Sequence, residues 1–317
     1  MKAVVLTGYD AGIGVLAEAE LETPAIGPMD VLVEVHAAGV NPFDAKLRRG
    51  WLQRFYPLNF PHVLGNDIAG VVVRAGPAVF HVGVGDRVYG LQPTMRWGGY
   101  AEYAAMQAQY VRRMPANLSF VEAASLPMVY QTAWMGLAGF AQLRPGQLLL
   151  VHGATGGVGS AAVQLGKALG ARVAATCSAD GLGFVRQLGA DIVIDYRAHD
   201  FTALLQNVDA VLDPIGAQVN LDSYRVVRRG GAVLVVLRED PLEMQNRARL
   251  EHEHGVNTRV IAFENMPEVL DYLRPLFEAA ALKPVVSRVL PLAQAAEAHR
   301  ALDAGHARGK TVLAIRP

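Results

Sequence analysis

The stretch Gln147 to Ala171, QLLLVHGATGGVGSAAVQLGKALGA, constrains the fold more than any other part of the chain. Leu148 to Val151 is an apolar run of strand length, and it leads into a glycine cluster, Gly153, Gly156, Gly157 and Gly159. From Val158 onward the apolar spacing becomes helical, with Val158, Ala162, Leu165 and Leu169 on one side and Gly170 as a stop signal. A strand that passes through a glycine turn into a helix opens a dinucleotide-binding βαβ unit. The glycines let the backbone turn tightly and approach a pyrophosphate, whose charge sits at the positive end of the helix. The usual G-x-G-x-x-G reads Ala154-Thr155-Gly156-Gly157-Val158-Gly159, with alanine at the first glycine position. Glycine turns also arise for steric reasons alone, and the strand-turn-helix context is what weighs against a turn without a ligand.

A chain of 317 residues has room for two domains of ordinary size. Its 29 basic and 29 acidic residues cancel, which argues against a nucleic-acid backbone or an anionic membrane surface as the main partner. With 52% hydrophobic and 18% charged residues it has the composition of a chain with a large core, not of a disordered one. Cys177 is the single cysteine, so no internal disulfide and no thiolate metal cluster can form. It reads as a small packed residue at a strand end. No apolar run approaches the roughly 20 residues of a membrane span, and Gly8 and Asp10 interrupt the start too early for a secretory segment. These features point to a cytoplasmic protein.

Residues 1 to about 123 carry short β-prone runs, Lys2 to Thr7, Val31 to Ala37, Ala69 to Ala75, Asp86 to Gly90 and Tyr100 to Ala104. Glycine and proline break them at close intervals. The insert Ala45 to Asn59, with Lys46, Arg48, Arg49 and Arg54, reads as a solvated basic loop or a mobile loop at a pocket mouth. Ser119 and Glu122 are placed as a capping pair for a helix. Beyond it, strands (Leu148 to Val151, Arg172 to Thr176, Asp191 to Ile194, Val208 to Leu212, Ala232 to Leu237) alternate with helices, the pattern of a parallel sheet covered on both faces. Arg238 to Val256 reads as a solvated helix or linker, and a last strand, Thr311 to Ile315, is expected to return to the first domain.

The chain resembles the zinc-independent quinone oxidoreductases, the ζ-crystallin-like branch of the medium-chain dehydrogenase/reductase superfamily. The resemblance spans nearly the whole length. It is carried, in the family's order, by AAGVNPFDAKLRRG (37–50), HVLGNDIAGVVVRAG (62–76), VGDRVYG (84–90), GGYAEY (98–103), YQTAW (130–134) and the glycine stretch itself. QLGADIVIDY (187–196), LKPVVSRVLPLAQAAEAHRAL (282–302) and GHARGKTVLAI (305–315) complete it. It implies an α/β protein with a GroES-like, barrel-type catalytic domain at 1–123 and 264–317, and a doubly wound Rossmann domain at 124–263. Where zinc-dependent relatives have metal ligands, this chain has Gly39-Val40-Asn41 and Gly65-Asn66-Asp67, from which the four ligands of a zinc site cannot be assembled. His152 reads as a packed residue.

The second strand of the parallel sheet ends Thr176-Cys177-Ser178 with no acid before Asp180, which favours NADPH over NADH, because an acid there accepts the ribose 2′-hydroxyl and repels a 2′-phosphate. Ser178 and Tyr196 are the expected phosphate donors. The lysine that family members often carry a few residues later is replaced by Gly181-Leu182-Gly183. By resemblance, Ala154, Thr155, Gly156, Gly157 and Val158 hold the pyrophosphate and Asn41 and Thr132 face the nicotinamide, while the loops at Gly216 and Leu237 border ribose and ring. Asn41 and Asp44 are placed near the reacting oxygen, with backbone support before Pro42 and helix capping as their alternatives. Tyr56 stands in, displaced, for the family's tyrosine. The expected reaction is hydride transfer to a quinone. The alternatives are an enoyl or 2-alkenal reductase, and an NADPH-binding protein with little turnover. A homodimer is a family expectation, with Ala232 to Leu237 as an edge strand or as an interior one.

Overall fold

The computed structural model describes residues 1–236, 241–262, 264–305 and 308–316. The chain divides into two compact units, Met1–Met128 with Asn265–Pro317, and Val129–Glu264.

The first unit opens with β1 (Lys2–Leu6), β2 (Leu16–Glu20), β3 (Asp30–Val40), β4 (His62–Val63), β5 (Asp67–Ala75), β6 (Arg87–Leu91), β7 (Tyr103–Gln107) and β8 (Val111–Arg113). β3 organises it, pairing antiparallel with β5 on one side and with β7 on the other. Its Val31, Val33 and Val35 pack with Ile68, Val72, Val88, Met106 and Val111 in one apolar cluster. Fully burying side chains of this size contributes roughly 1.5–3 kcal/mol each. The chain leaves β3 at Asn41 and enters the helix Pro42–Arg48, where Pro42 occupies a first-turn position that needs no N–H. The capping pair forms as expected, with Ser119 N donating to Glu122 Oε2 at 2.8 Å and Glu122 N to Ser119 Oγ at 3.2 Å.

The second unit holds β9 (Leu148–Val151), β10 (Arg172–Cys177), β11 (Ile192–Asp195), β12 (Val208–Asp213), β13 (Val227–Val236) and β14 (Asn257–Ile261). All neighbours are parallel, in the order β11-β10-β9-β12-β13-β14. Leu149, Leu150 and Val151 are buried on both sheet faces, as the apolar run requires. Strand order reverses between β9 and β12, the switch point at whose carboxyl end ligands bind in such sheets.

One strand, β14, departs from the sequence expectation. β14 alternates exposed and buried residues and lacks the continuous apolar run that marked the other strands. It forms the sheet edge, so β13, which contains the described part of Ala232 to Leu237, is interior. The charged stretch after β13 contains the helix Pro241–His254, while residues 237–240 lie outside the described residues.

After the helix Pro267–Glu278 the chain forms β15 (Val286–Pro291), the helix Ala295–Asp303 and β16 (Lys310–Ala314). β16 pairs antiparallel with β3, setting Leu313 against Ala38 and Thr311 against Val40, and completes a seven-stranded sheet. That register carries Lys310 to the end of β3, beside Asn41. No described helix is long and apolar enough to cross a membrane.

Candidate active site

In the second unit, each described glycine of the turn after β9 has its own reason. Gly153 has φ +56°, a left-handed conformation that disfavours other residues. A Cβ on Gly159 would lie 2.2 Å from Gly153 O and 2.8 Å from Ala154 Cα, so Gly159 lets the helix Gly157–Ala168 press against the turn. Gly156 is different. A Cβ there would meet only Gly153 O, at 3.4 Å, so the fold itself leaves that space open. It caps the helix, whose first N–H groups, at Gly157, Val158 and Gly159, have no intrahelical acceptor. An open cradle lined by N–H groups at a helix N-terminus suits a pyrophosphate. Ala154 is fully buried and gives its N–H to Thr176 O at 3.1 Å, and Thr155 flanks the cradle, half-buried.

The neighbouring strand ends frame the turn. Ser178 follows β10, Tyr196 follows β11, and Tyr196 N donates to Cys177 O at 3.1 Å. On the other side Asp213, at the end of β12, accepts from Ile215 N at 2.8 Å, Gly216 N at 3.0 Å and Asn220 Nδ2 at 2.9 Å. This fixes a loop in which Gly216 has φ +77°. Thr132 is buried on the helix Pro127–Trp134. Leu237 lies outside the described residues. His152 is wholly buried between Thr176 Oγ1 (2.9 Å) and Ser223 Oγ (3.1 Å), and burial pushes its pKa down to about 4, so it stays neutral inside the sheet.

The first unit contains a buried polar cluster at the end of β3. Lys310 Nζ donates to Val40 O at 3.0 Å, to Asp67 Oδ2 at 3.0 Å and to Asn41 Oδ1. Asn41 Nδ2 donates to the same Asp67 Oδ2 at 2.9 Å, and Asp67 Oδ1 accepts from Met128 N at 2.7 Å. Gly39 makes this closeness possible, since a Cβ there would lie 2.4 Å from Ala124 O and 2.9 Å from Asp67 Cβ.

Asp44 sits beneath, fully buried, accepting from Asn41 N at 2.8 Å and Gly65 N at 3.3 Å. It also takes a hydrogen bond from Tyr100. The rest of the chain of contacts has a defined direction. Arg48, always a donor, sits 3.2 Å from His299 Nδ1, so His299 carries its proton on Nε2, 3.2 Å from Tyr100 Oη. Burial, aided by Arg48, lowers the His299 pKa to about 4. Arg48 in turn pairs with Asp303 at 2.5 Å. The insert expected as a solvated basic loop therefore begins as a helix, and Arg48 points into the core because His299 and Asp303 meet its charge there. Tyr56 lies half-buried with its ring edge-on to Phe43, centroids 5.6 Å apart.

Burial raises the Asp44 pKa to about 7. Because the folded-state value exceeds the unfolded one, the group costs stability as pH rises from about 4, and the cost is complete above about 7. His152 and His299 act oppositely over much of that window, so the prediction concerns a difference. Asp44→Asn gains on the wild type progressively between pH 4 and 7, by a few kcal/mol at most, in urea unfolding midpoints. A constant offset between the two curves would refute this account of Asp44.

Several members of these clusters carry no local sequence signal as site residues: Lys310, Asp67, Tyr100 and His299. An ammonium group already occupies the space between Asn41 and Asp67. Asn66 is spent on Gln92 O at 2.7 Å and Thr94 Oγ1 at 3.3 Å. Among the described residues no group of three or more His, Cys, Asp or Glu side chains is placed to hold a metal ion. The residues at this position do not fit a zinc ion.

Residues 27–116 match the alcohol dehydrogenase GroES-like domain and residues 188–313 the zinc-binding dehydrogenase domain. The chain is 35% identical to the chloroplastic NADPH-dependent alkenal/one oxidoreductase of Arabidopsis thaliana, over 99% of this chain and 79% of that one. It is 32% identical to the quinone oxidoreductase of Sus scrofa, over 93% and 91%. The quinone oxidoreductase structure from Coxiella burnetii superposes with a TM-score of 0.90 at 31% identity, covering 100% of this chain and 99% of the other. The chain belongs to the zinc-independent quinone oxidoreductase branch of the medium-chain dehydrogenase/reductase superfamily. Membership of that branch is consistent with two observations together, an open glycine turn at a helix N-terminus in the parallel-sheet unit and a lysine ammonium between Asn41 and Asp67 in the other.

Proposed function

We propose that this protein is an NADPH-dependent oxidoreductase that passes a hydride to a quinone without a metal ion. The observation that carries the reading is the Lys310 ammonium bound between Asn41 and Asp67, a fixed charge where a Lewis acid would otherwise sit. Reducing a simple ketone places charge on one oxygen and calls for a Lewis acid or a matched proton donor. A quinone spreads that charge through its conjugated system, so orientation and hydrogen bonding suffice.

When bound, the reduced nicotinamide supplies the hydride, and a solvent proton completes the hydroquinone. The N–H groups of Gly157 and Val158 would hold the pyrophosphate, with Gly156, whose own N–H is donated to Gly153 O, leaving room for it and Thr155 at the rim. Thr132 and Asn41 orient the ring. One N–H of Asn41 Nδ2 is taken by Asp67, and we assign the other to the acceptor's oxygen. Asp44 acts through Asn41 by holding its backbone, and Tyr56 borders the acceptor. The 2-alkenal reading shares this machinery and is supported by the name of the Arabidopsis relative. There the hydride goes to the β-carbon and the proton to the α-carbon. A cytoplasmic homodimer fits the single cysteine and the exposed edge strand β14.

The test is loss of NADPH absorbance with 1,4-benzoquinone, 9,10-phenanthrenequinone and a small enone, with and without a chelator. The expected result is turnover that the chelator leaves unchanged, fastest with a quinone. Tight NADPH binding with no turnover across the panel, or abolition by the chelator, would overturn the reading.

A further inference from the structure

The lysine missing after Ser178 has a counterpart that arrives from the next strand. β10 and β11 are parallel neighbours with Cys177 opposite Asp195, so Ser178–Asp180 and Tyr196–Arg197 leave the sheet side by side. Arg197 Nε donates to Tyr196 Oη at 3.3 Å, with the guanidinium carbon 5.7 Å from the Tyr196 ring centroid. The guanidinium lies in solvent, and its charged form is favoured first by Tyr196 and also by Asp180 and Asp195. Asp195 is turned to its own chain, with Oδ1 accepting from Arg197 N at 3.0 Å. Asp180 Oδ1 accepts from the hydroxyl of Ser178, the residue expected to donate to a 2′-phosphate. One corner of the cofactor site thus presents a cation and an anion at once.

The two charges select for different ligands. A ribose 2′-phosphate needs a cation and is repelled by a carboxylate, whereas a 2′-hydroxyl is read by a carboxylate acceptor. We infer that Arg197 and Asp180 set the choice of nicotinamide cofactor as an opposed pair. Arg197 takes the 2′-phosphate, supplying the charge of the absent lysine, while Asp180 withholds Ser178 from it and serves the 2′-hydroxyl. The protein therefore binds both NADP and NAD, with a smaller preference for the phosphorylated form than a site carrying a lysine and no carboxylate would show.

This inference rests on the nicotinamide-binding reading and is tested by binding, apart from turnover. Calorimetric Kd values are taken for NADP⁺, NAD⁺ and 2′,5′-ADP with the wild type, Arg197→Ala, Arg197→Lys and Asp180→Ala. Both side chains are exposed, so each variant should melt as the wild type does. Arg197→Ala is expected to weaken NADP⁺ and 2′,5′-ADP about ten- to a hundredfold, the loss of a charge-assisted contact, with NAD⁺ little changed. Arg197→Lys should recover part of it. Asp180→Ala should tighten NADP⁺ and weaken NAD⁺. Unchanged Kd values in the alanine variants would overturn the inference while leaving the cofactor reading intact. A wild type that binds none of the three nucleotides would overturn both.

Discussion

Lys310→Met is expected to destabilise the first unit by about 3–5 kcal/mol, the usual cost of removing one partner from a buried ion pair. Lys310 is 5% exposed and Asp67 wholly buried. The methionine keeps the apolar stem but removes all three N–H donors, leaving Val40 O, Asn41 Oδ1 and Asp67 Oδ2 short of a partner. Among the described residues Asp67 keeps the hydrogen bonds from Met128 N and Asn41 Nδ2, too little for a carboxylate without water or a counter-charge. The control is the double variant Lys310→Met with Asp67→Asn. It removes the orphaned charge and should recover much of the loss, whereas simple loss of packing would make the double variant worse than the single one. Urea unfolding midpoints decide between them. A single variant within about 1 kcal/mol of wild type would mean that the pair is not the keystone of the cluster.

The parallel-sheet unit was legible because its signals are local. A strand of four apolar residues, a glycine turn and a helix with apolar spacing lie within one stretch, and covering both sheet faces demands the near-uniform Leu148 to Val151. β14 escaped because an edge strand buries only alternate residues and has polar Asn257 and Arg259 among them. The polar cluster of the first unit was readable only in part. Asn41 and Asp44 stand out within a short loop, but Lys310 meets Asn41 across 269 residues, through the register of β16 on β3. Arg48 shows the same limit from the other side. Among Lys46, Arg49 and Arg54 it has the look of one more solvated charge, and only His299 and Asp303, 251 and 255 residues away, make it a core residue. Arg197 and Asp180 are separated in sequence by a helix and a strand, and the parallel pairing of β10 and β11 is what gathers them.

The glycine turn offers the sharpest separation of ligand binding from folding. Gly156→Val should leave the protein folded, costing about 1 kcal/mol as a poorer helix cap, yet weaken NADPH and NADP⁺ by roughly two orders of magnitude or more. The conformation at Gly156, φ −74° and ψ 176°, is open to valine, and the fold brings nothing closer than Gly153 O at 3.4 Å to its Cβ. On the proposed function, the added methyl groups would meet the pyrophosphate in the space the fold leaves open. Gly159→Ala should do the reverse in order of effect. Its Cβ would stand 2.2 Å from Gly153 O, a backbone atom that cannot swing aside, so the helix must lift from the turn. Stability should fall first, by about 1–3 kcal/mol as for overpacked sites, and cofactor affinity with it. Thermal melts and calorimetric binding on the two variants decide the matter. Wild-type NADP⁺ affinity in a folded Gly156→Val protein would mean that no pyrophosphate approaches this turn, and the dinucleotide site would have to lie elsewhere.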